Sequence, residues 1–284
     1  MYKKVIAGLI LASLCTSVFA AGFLGPPTAG LKKGQWGTGY NYSYSSQGLD
    51  RATVKWRELD WDDDGMLTDT YHWSSELKLR SVNVNRHYWN INYGVRDWWE
   101  LYFQLGLADV KANAKEVEDD GDISKWGMNF DNDICFGWGT KFTFYKGEKV
   151  SWGTALQMNW LDTQWGGKGS DAGDVWKDTV DLKTWDLLLS IGPTVDMGGW
   201  KLYGGPFYYY LAGDYDYTEK GSWDYGEGDS GTWRDKGHAN LEASHFGGFL
   251  GAQFDISKNT SATVEYSFTG DGWAVGTGIL IKLN

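Results

Sequence analysis

The sequence predicts an all-β chain closed into a single antiparallel transmembrane barrel. Apolar residues recur at a period of two over many segments, short connections alternate with long ones, and aromatic residues gather at the segment ends. The alternation is plain in Trp273, Val275, Thr277, Ile279, Ile281 and Leu283, set against Ala274, Gly276, Gly278, Leu280, Lys282 and Asn284. One face can meet lipid and the other is mostly small or polar. No stripe at the helical period has comparable length.

Taken from the N-terminus, Lys3 and Lys4 precede an apolar run from Val5 to Leu14, and Val18-Phe19-Ala20 places small residues where signal peptidase cuts. Residues 1–20 are therefore expected to be a secretory signal peptide and residues 21–284 the barrel domain. Leu14 stands before Cys15 where a lipoprotein needs a small residue, so Cys15 is assigned to the leader. About ten strands follow, with eight to twelve as the range. They fall near 35–45, 73–95, 99–110, 133–146, 150–161, 183–197, 200–213, 243–256, 260–268 and 273–284. In the second of these the apolar parity shifts after Leu79 and again before Trp89, which predicts a bulge or two.

Short turns are expected at Arg96-Asp97-Trp98, Lys146-Gly147-Glu148, Met197-Gly198-Gly199 and Ser257-Lys258-Asn259. Long extracellular loops are expected at 46–72, 111–132, 162–182 and 214–242. Trp36, Trp89, Trp98, Trp99, Trp152, Trp160, Trp185, Trp200 and Trp273 lie near strand ends, as interfacial girdles require. Composition agrees: 18 Trp, 17 Tyr, 12 Phe and 39 Gly beside only 4 Pro suit strands and tight interiors. A mean hydropathy of −0.44 is compatible with a barrel, because only alternate residues face lipid. The net charge of −11 argues against nucleic acid as a partner. Past the leader one cysteine remains, Cys135, on the interior parity, so no disulfide is expected.

The segment Tyr93-Gly94-Val95-Arg96-Asp97-Trp98-Trp99-Glu100-Leu101, continued by Leu105-Gly106-Leu107-Ala108, resembles the strand–turn–strand signature of small bacterial outer-membrane β-barrel families. That resemblance implies residence in a Gram-negative outer membrane and insertion by the outer-membrane assembly machinery. It implies no particular activity, because such families include porins, adhesins and others. The chain departs from the pattern at its C-terminus, Ile281-Lys282-Leu283-Asn284, where an aromatic residue is usual.

The reading favoured is a non-enzymatic barrel with a structural or minor channel role, no cofactor and no metal. Two alternatives stand beside it: a barrel enzyme acting at the outer rim, either an omptin-like protease or a lipid A-modifying enzyme, and a secreted carbohydrate-binding β-sandwich. For the enzyme, Asp69 with His72 and Asp235 with His238 lack the omptin D-x-H spacing. Ser244, His245 and Glu242 include strand neighbours that point to opposite faces. Asp60, Asp62 and Asp64 before Gly65 have a calcium-loop pattern, but the bidentate Glu is replaced by Tyr71. Glu116, Glu118, Asp119, Asp120 and Asp122 read as a solvated acidic loop. Tyr215, Tyr217, Trp223, Tyr225 and Trp233 are candidates for stacking on a glycan. Glu100, Lys141, Asp186, Asp255, Glu265 and Lys282 have interior parity and are expected to pair across a filled lumen or to tune ion selectivity.

Overall fold

Residues 22–48, 52–62, 64–118, 123–130, 132–171, 174–226 and 230–283 are described by a computed structural model, with backbone alone for Arg80 and Glu118. The leader expected over 1–20 lies outside the described residues.

The strands are β1 Trp36–Gln47, β2 Ala52–Asp62, β3 Leu67–Arg96, β4 Trp99–Glu118, β5 Ile123–Asn129 and β6 Asp133–Lys146. There follow β7 Val150–Asp171, β8 Asp174–Asp196, β9 Trp200–Asp224, β10 Ser230–Asp255, β11 Thr260–Thr269 and β12 Gly272–Lys282. Ten of them form a ring in the order β1-β3-β4-β6-β7-β8-β9-β10-β11-β12, closed by antiparallel pairing of β12 with β1. These ten are the strands that alternation predicts.

The outward face of the ring is apolar. Leu101, Phe103, Leu105 and Leu107 of β4, Ile134, Phe136 and Trp138 of β6, Leu189 and Ile191 of β8, and Val275, Ile279 and Ile281 of β12 all stand exposed. In water such a belt would be a severe aggregation surface; in lipid it is the proper solvent. Aromatic pairs bound it on both sides. Trp36–Tyr93, Trp99–Phe142 and Trp200–Phe254 lie at the short-turn rim, and Tyr44–Trp273, Phe136–Trp160 and Trp185–Tyr210 at the other. The short turns are as expected, and positive φ at Gly198 and Gly199 shows why glycine stands in the β8–β9 turn.

The expected long loops are corrected: they are largely strand. β3 runs for 30 residues and β10 for 26, far more than the roughly ten a tilted strand needs to cross a bilayer. β11, β12 and β1 stop at the outer girdle, and β2 fills the gap they leave by pairing with upper β3 and upper β10. β5 adds a strand to upper β4. The result is a collar standing above the membrane. Its outward face carries Lys183, Asp214, Asn240 and Glu242, all exposed, while its inward face carries buried Val54, Leu77, Val180, Leu182, Leu211 and Leu241. The collar alternates as regularly as the membrane segment with the polarity reversed. Its charged outward face is what read as loop.

The two parity shifts of β3 therefore have different causes. The first is a bulge at Leu79/Ser81, with a further irregularity at Gly94/Arg96 beside the turn. The shift between Val84 and Trp89 is no bulge: the register with β4 is continuous there, and the apolar set moves from the lumen to the lipid face.

Because Ser45 and Ala274 are register partners across the closing seam, a Ser45→Cys/Ala274→Cys double variant should cross-link on oxidation. After boiling, the oxidised protein should migrate apart from the reduced protein on a denaturing gel. Absence of the cross-link in folded, heat-modifiable protein would contradict the seam.

Candidate functional site: the barrel lumen

The lower lumen is polar and is occupied by the chain's own N-terminal segment. Residues 22–34 run down inside the barrel to the rim where β1 begins. Phe23 lies against the inner face of β12, in space left by Gly276 and Gly278: a Cβ on Gly276 would come within 2.6 Å of it. The Glu265 carboxylate accepts hydrogen bonds from the backbone N–H of Leu24 and of Gly25, both 2.9 Å, and from the Tyr203 hydroxyl, 3.0 Å. Glu100 accepts from the N–H of Gly30 at 2.7 Å, that of Leu31 at 3.2 Å and the Asn92 side chain at 2.8 Å. Thr28 meets Thr194 at 3.0 Å, and Gly34 donates to the Gly94 carbonyl at 2.7 Å. Apart from the Gly34–Gly94 bond at its lower end, the segment is held chiefly by two buried carboxylates, whose charge-assisted hydrogen bonds are the strong kind. A cavity of about 600 Å³, lined by Lys141, Gln157, Lys201 and Gln253 among others, remains between the segment and the wall.

Above it, a polar chain partitions the lumen. Tyr102 donates to Gln157 at 2.9 Å, Gln157 to Asn159 at 3.2 Å and Asn159 to Asp186 at 2.5 Å; Asp186 is ion-paired with Arg86 at 3.0 Å. Arg86 and Asp186 are both buried, so each depends on the other for compensation of its charge. Beyond this partition the inner face turns apolar: Leu79, Val82, Val84, Val110, Ala112, Met128, Phe130, Leu161, Leu182 and Leu211 leave a void of only about 20 Å³. The Phe130 ring reaches in from the residue after β5.

The collar mouth is aromatic and acidic. Trp56 and Trp73 stack at 5.9 Å, as do Trp223 and Trp233 at 6.0 Å. The Trp56 indole donates to Glu116 at 2.9 Å, and Ser75 bonds the same carboxylate. The Tyr217 hydroxyl lies 2.7 Å from Glu219 and 3.0 Å from Asp178 and can donate to one at a time. Burial, and then the neighbouring Glu58, Glu219 and Asp60, push the Asp235 carboxyl up to about 7. Burial likewise raises Glu58, Asp60 and Asp178 above the usual carboxylate range.

No family model matches the chain, and no curated protein matches it significantly. Solved structures do. The translocator domain of the autotransporter NalP from Neisseria meningitidis is 11% identical, with 89% of this chain and 90% of that one covered at a TM-score of 0.44. The outer membrane protein OprG from Pseudomonas aeruginosa is 10% identical over 89% and 98%, at 0.38. The outer membrane protease OmpT from Escherichia coli is 9% identical over 85% and 94%, at 0.38. Likenesses this distant add nothing to what the closed ladder and its apolar belt already establish. The chain is a membrane-spanning β-barrel. A closed sheet with a lipid-facing belt between two aromatic girdles, short turns at one rim and long strands beyond the other, is an outer-membrane protein.

The barrel sorts the residues singled out from sequence. Glu100, Asp186 and Glu265 are buried in the lumen as expected. Lys141 lies there too, with its ammonium 5.7 Å from the Tyr102 ring centre. Two further expectations are corrected: Asp255 is exposed at the short-turn rim and Lys282 half-buried there, because both fall at strand ends. The expected direct pairing of interior charges holds only for Asp186, whose partner Arg86 the sequence reading missed. Reading Val84-Arg86-Tyr88 as inward, with one bulge counted instead of two, would have found it. Cys135 is buried on the inner face.

The rim candidates do not converge. His238 faces outward and pairs with Asp216 at 2.8 Å, while Asp235 faces the lumen. Ser244 and Glu242 are exposed on the outer face and His245 points the other way, 3.8 Å from Asp271. Asp69 and His72 both lie exposed on β3. The Asp62 carboxylate caps the β2–β3 turn by accepting from the N–H of Met66 at 2.8 Å. Among the described residues no cluster of metal-ligating side chains is found. Glu116 is corrected from solvated loop to buried acceptor; residues 119–122 lie outside the described residues. The glycan candidates divide: Tyr215 is inside the lumen, Trp223 stacks on Trp233, and Tyr225 is exposed with its hydroxyl on Asp174 at 2.8 Å.

Two outcomes follow from this geometry. Glu265→Ala removes the acceptor for three buried donors, each such bond being worth about 1.5–3 kcal/mol. Amide exchange over 22–31 should then speed up while the strand amides of β11 stay protected; unchanged exchange at 24 and 25 would contradict the clamp. In the collar, a carboxyl raised toward 7 stabilises the folded collar only while protonated. That contribution is complete below the unfolded value and lost as pH rises through about 7. Amide exchange in 230–238, corrected for intrinsic rate, should be faster near about pH 8 than near about pH 5.5. Asp235→Asn should level the difference.

Proposed function

We propose that this chain is a non-enzymatic outer-membrane barrel that is ion-tight at rest and serves a structural role, with any passage of solute confined to a gated, minor path. One observation carries the reading: the lumen is obstructed at two levels by different means. The N-terminal segment occupies the polar lower half, and apolar side chains pack the upper half above the Arg86–Asp186 partition. An open porin would need a continuous polar path, and a void of about 20 Å³ in an apolar chamber holds about one water. The non-enzymatic part is supported by the outward Ser244 and Glu242 standing across the wall from His245. Insertion by the outer-membrane assembly machinery remains the route such a barrel would take.

Planar bilayers tell the alternatives apart. The reconstituted barrel should show no steady conductance steps, and a variant lacking residues 22–31 should remain closed because the upper lumen still seals it. Regular steps from the unaltered, heat-modifiable protein would overturn the proposal in favour of an open pore.

A further inference from the structure

We propose that the apolar chamber of the upper lumen is a binding site for a small, mostly apolar molecule carrying one neutral oxygen acceptor, which enters by exchanging places with the Phe130 ring. The inference goes beyond the structural reading above and is independent of conductance, since a site can fill without opening a path for ions.

Two buried donors, on residues that line the same chamber, have no partner among the described residues. Among the described residues the Tyr215 hydroxyl, on a residue 1% exposed, has no hydrogen-bond partner; nor has the Nε–H of Arg86, on a residue 6% exposed. Both residues line the chamber. Buried polar groups are nearly always paired, and an unpaired one costs about 1–3 kcal/mol. Two orphans on residues that line one apolar space are what a packing core avoids and what a site for an acceptor-bearing ligand requires. The charge of Arg86 is already met by Asp186 at 3.0 Å, so the site selects a neutral acceptor such as a carbonyl rather than a carboxylate. Leu79, Val82, Val84, Leu182 and Leu211 around it select an apolar body.

The chamber is full because Phe130 and Met128 are in it, both buried. These two come from the least anchored part of the collar. β5 pairs along one edge only, with β4, among the described residues, and Phe130 is tied by a single backbone bond from its N–H to the Val110 carbonyl at 2.9 Å. Withdrawal of Phe130 costs one apolar burial and leaves a space shaped for a ring. A ligand ring restores the contacts, and its oxygen satisfies a donor that Phe130 cannot.

The test uses the full barrel in deuterated micelles with labelled methyl groups, and acetophenone as probe against ethylbenzene, which has a similar shape but no oxygen. Acetophenone should shift the methyl resonances of Leu79, Val84, Leu182 and Leu211. The outward methyls of Leu105 and Ile191 report partition into the micelle alone. Phe130→Ala should tighten acetophenone at least about tenfold by vacating the chamber, with Met128→Ala as a milder second variant should that protein fold poorly. Tyr215→Phe should weaken acetophenone several-fold and leave ethylbenzene unchanged. Inward methyls unmoved in both the unaltered barrel and Phe130→Ala would overturn the site, leaving a packed core with a buried water. Equal affinity for the two probes would overturn the assignment of the orphan donors.

Discussion

The hydrogen-bonded seam between β1 and β12 is the constraint on which everything else in this molecule depends. In hydrocarbon an unpaired N–H or C=O finds no water, so a sheet with a free edge cannot stay there. Pairing from Gly37 with Lys282 to Gln47 with Gly272 removes the edge and creates an inside. Once an inside exists, alternate residues of every strand must suit two different surroundings. The lipid-facing set is simple, because any apolar side chain serves. The inner set must fill a narrow tube, and its chemistry gives the molecule its character.

The inside is not uniform. Below the Arg86–Asp186 pair it is a polar space for which Glu100 and Glu265 supply acceptors and the N-terminal segment supplies donors. Above the pair it is an apolar core of the kind a water-soluble barrel would have. The cause lies outside the wall. Where lipid surrounds the strands, apolar groups can be spent on the outer face and the inner face can be polar. Above the girdle, water surrounds the strands, and the only way to stabilise a standing sheet is to bury apolar side chains inward. β8 shows the change within one strand: Trp185, Leu187, Leu189 and Ile191 face out, whereas Val180 and Leu182 face in. The collar is thereby a soluble barrel stacked on a membrane barrel and continuous with it, and its apolar core is the upper seal of the lumen.

The lower seal works differently. Residues 22–34 have no ladder of their own, so the backbone donors that enter the lumen must be met by side chains. Two glutamates placed on different strands do this at two heights. A plug held by side-chain acceptors can leave without breaking the wall, whereas the upper seal can open only by moving a packed side chain. The two halves of the lumen thus differ in what would unlock them as well as in polarity.

Alternation of apolar residues, together with the short turns and the aromatics at strand ends, was enough to read a closed all-β ring of about ten strands and its lipid-facing set, because lipid exposure imposes a strong, local, two-residue code. The same code applied to the collar was misread as loop: there Lys183, Asp214, Asn240 and Glu242 face water, and a strand that is charged outside and apolar inside looks by local polarity like a connection. Glu100, Asp186 and Glu265 were legible as interior positions from parity alone, but their partners were not. That Glu265 would meet the N–H groups of Leu24 and Gly25, some 240 residues away in sequence, is decided only when the ring closes around the segment. The same is true of Arg86 against Asp186 and of Phe130 above them. Parity assigns a face to each residue, but only the closed tertiary structure decides which faces share a lumen and at what height.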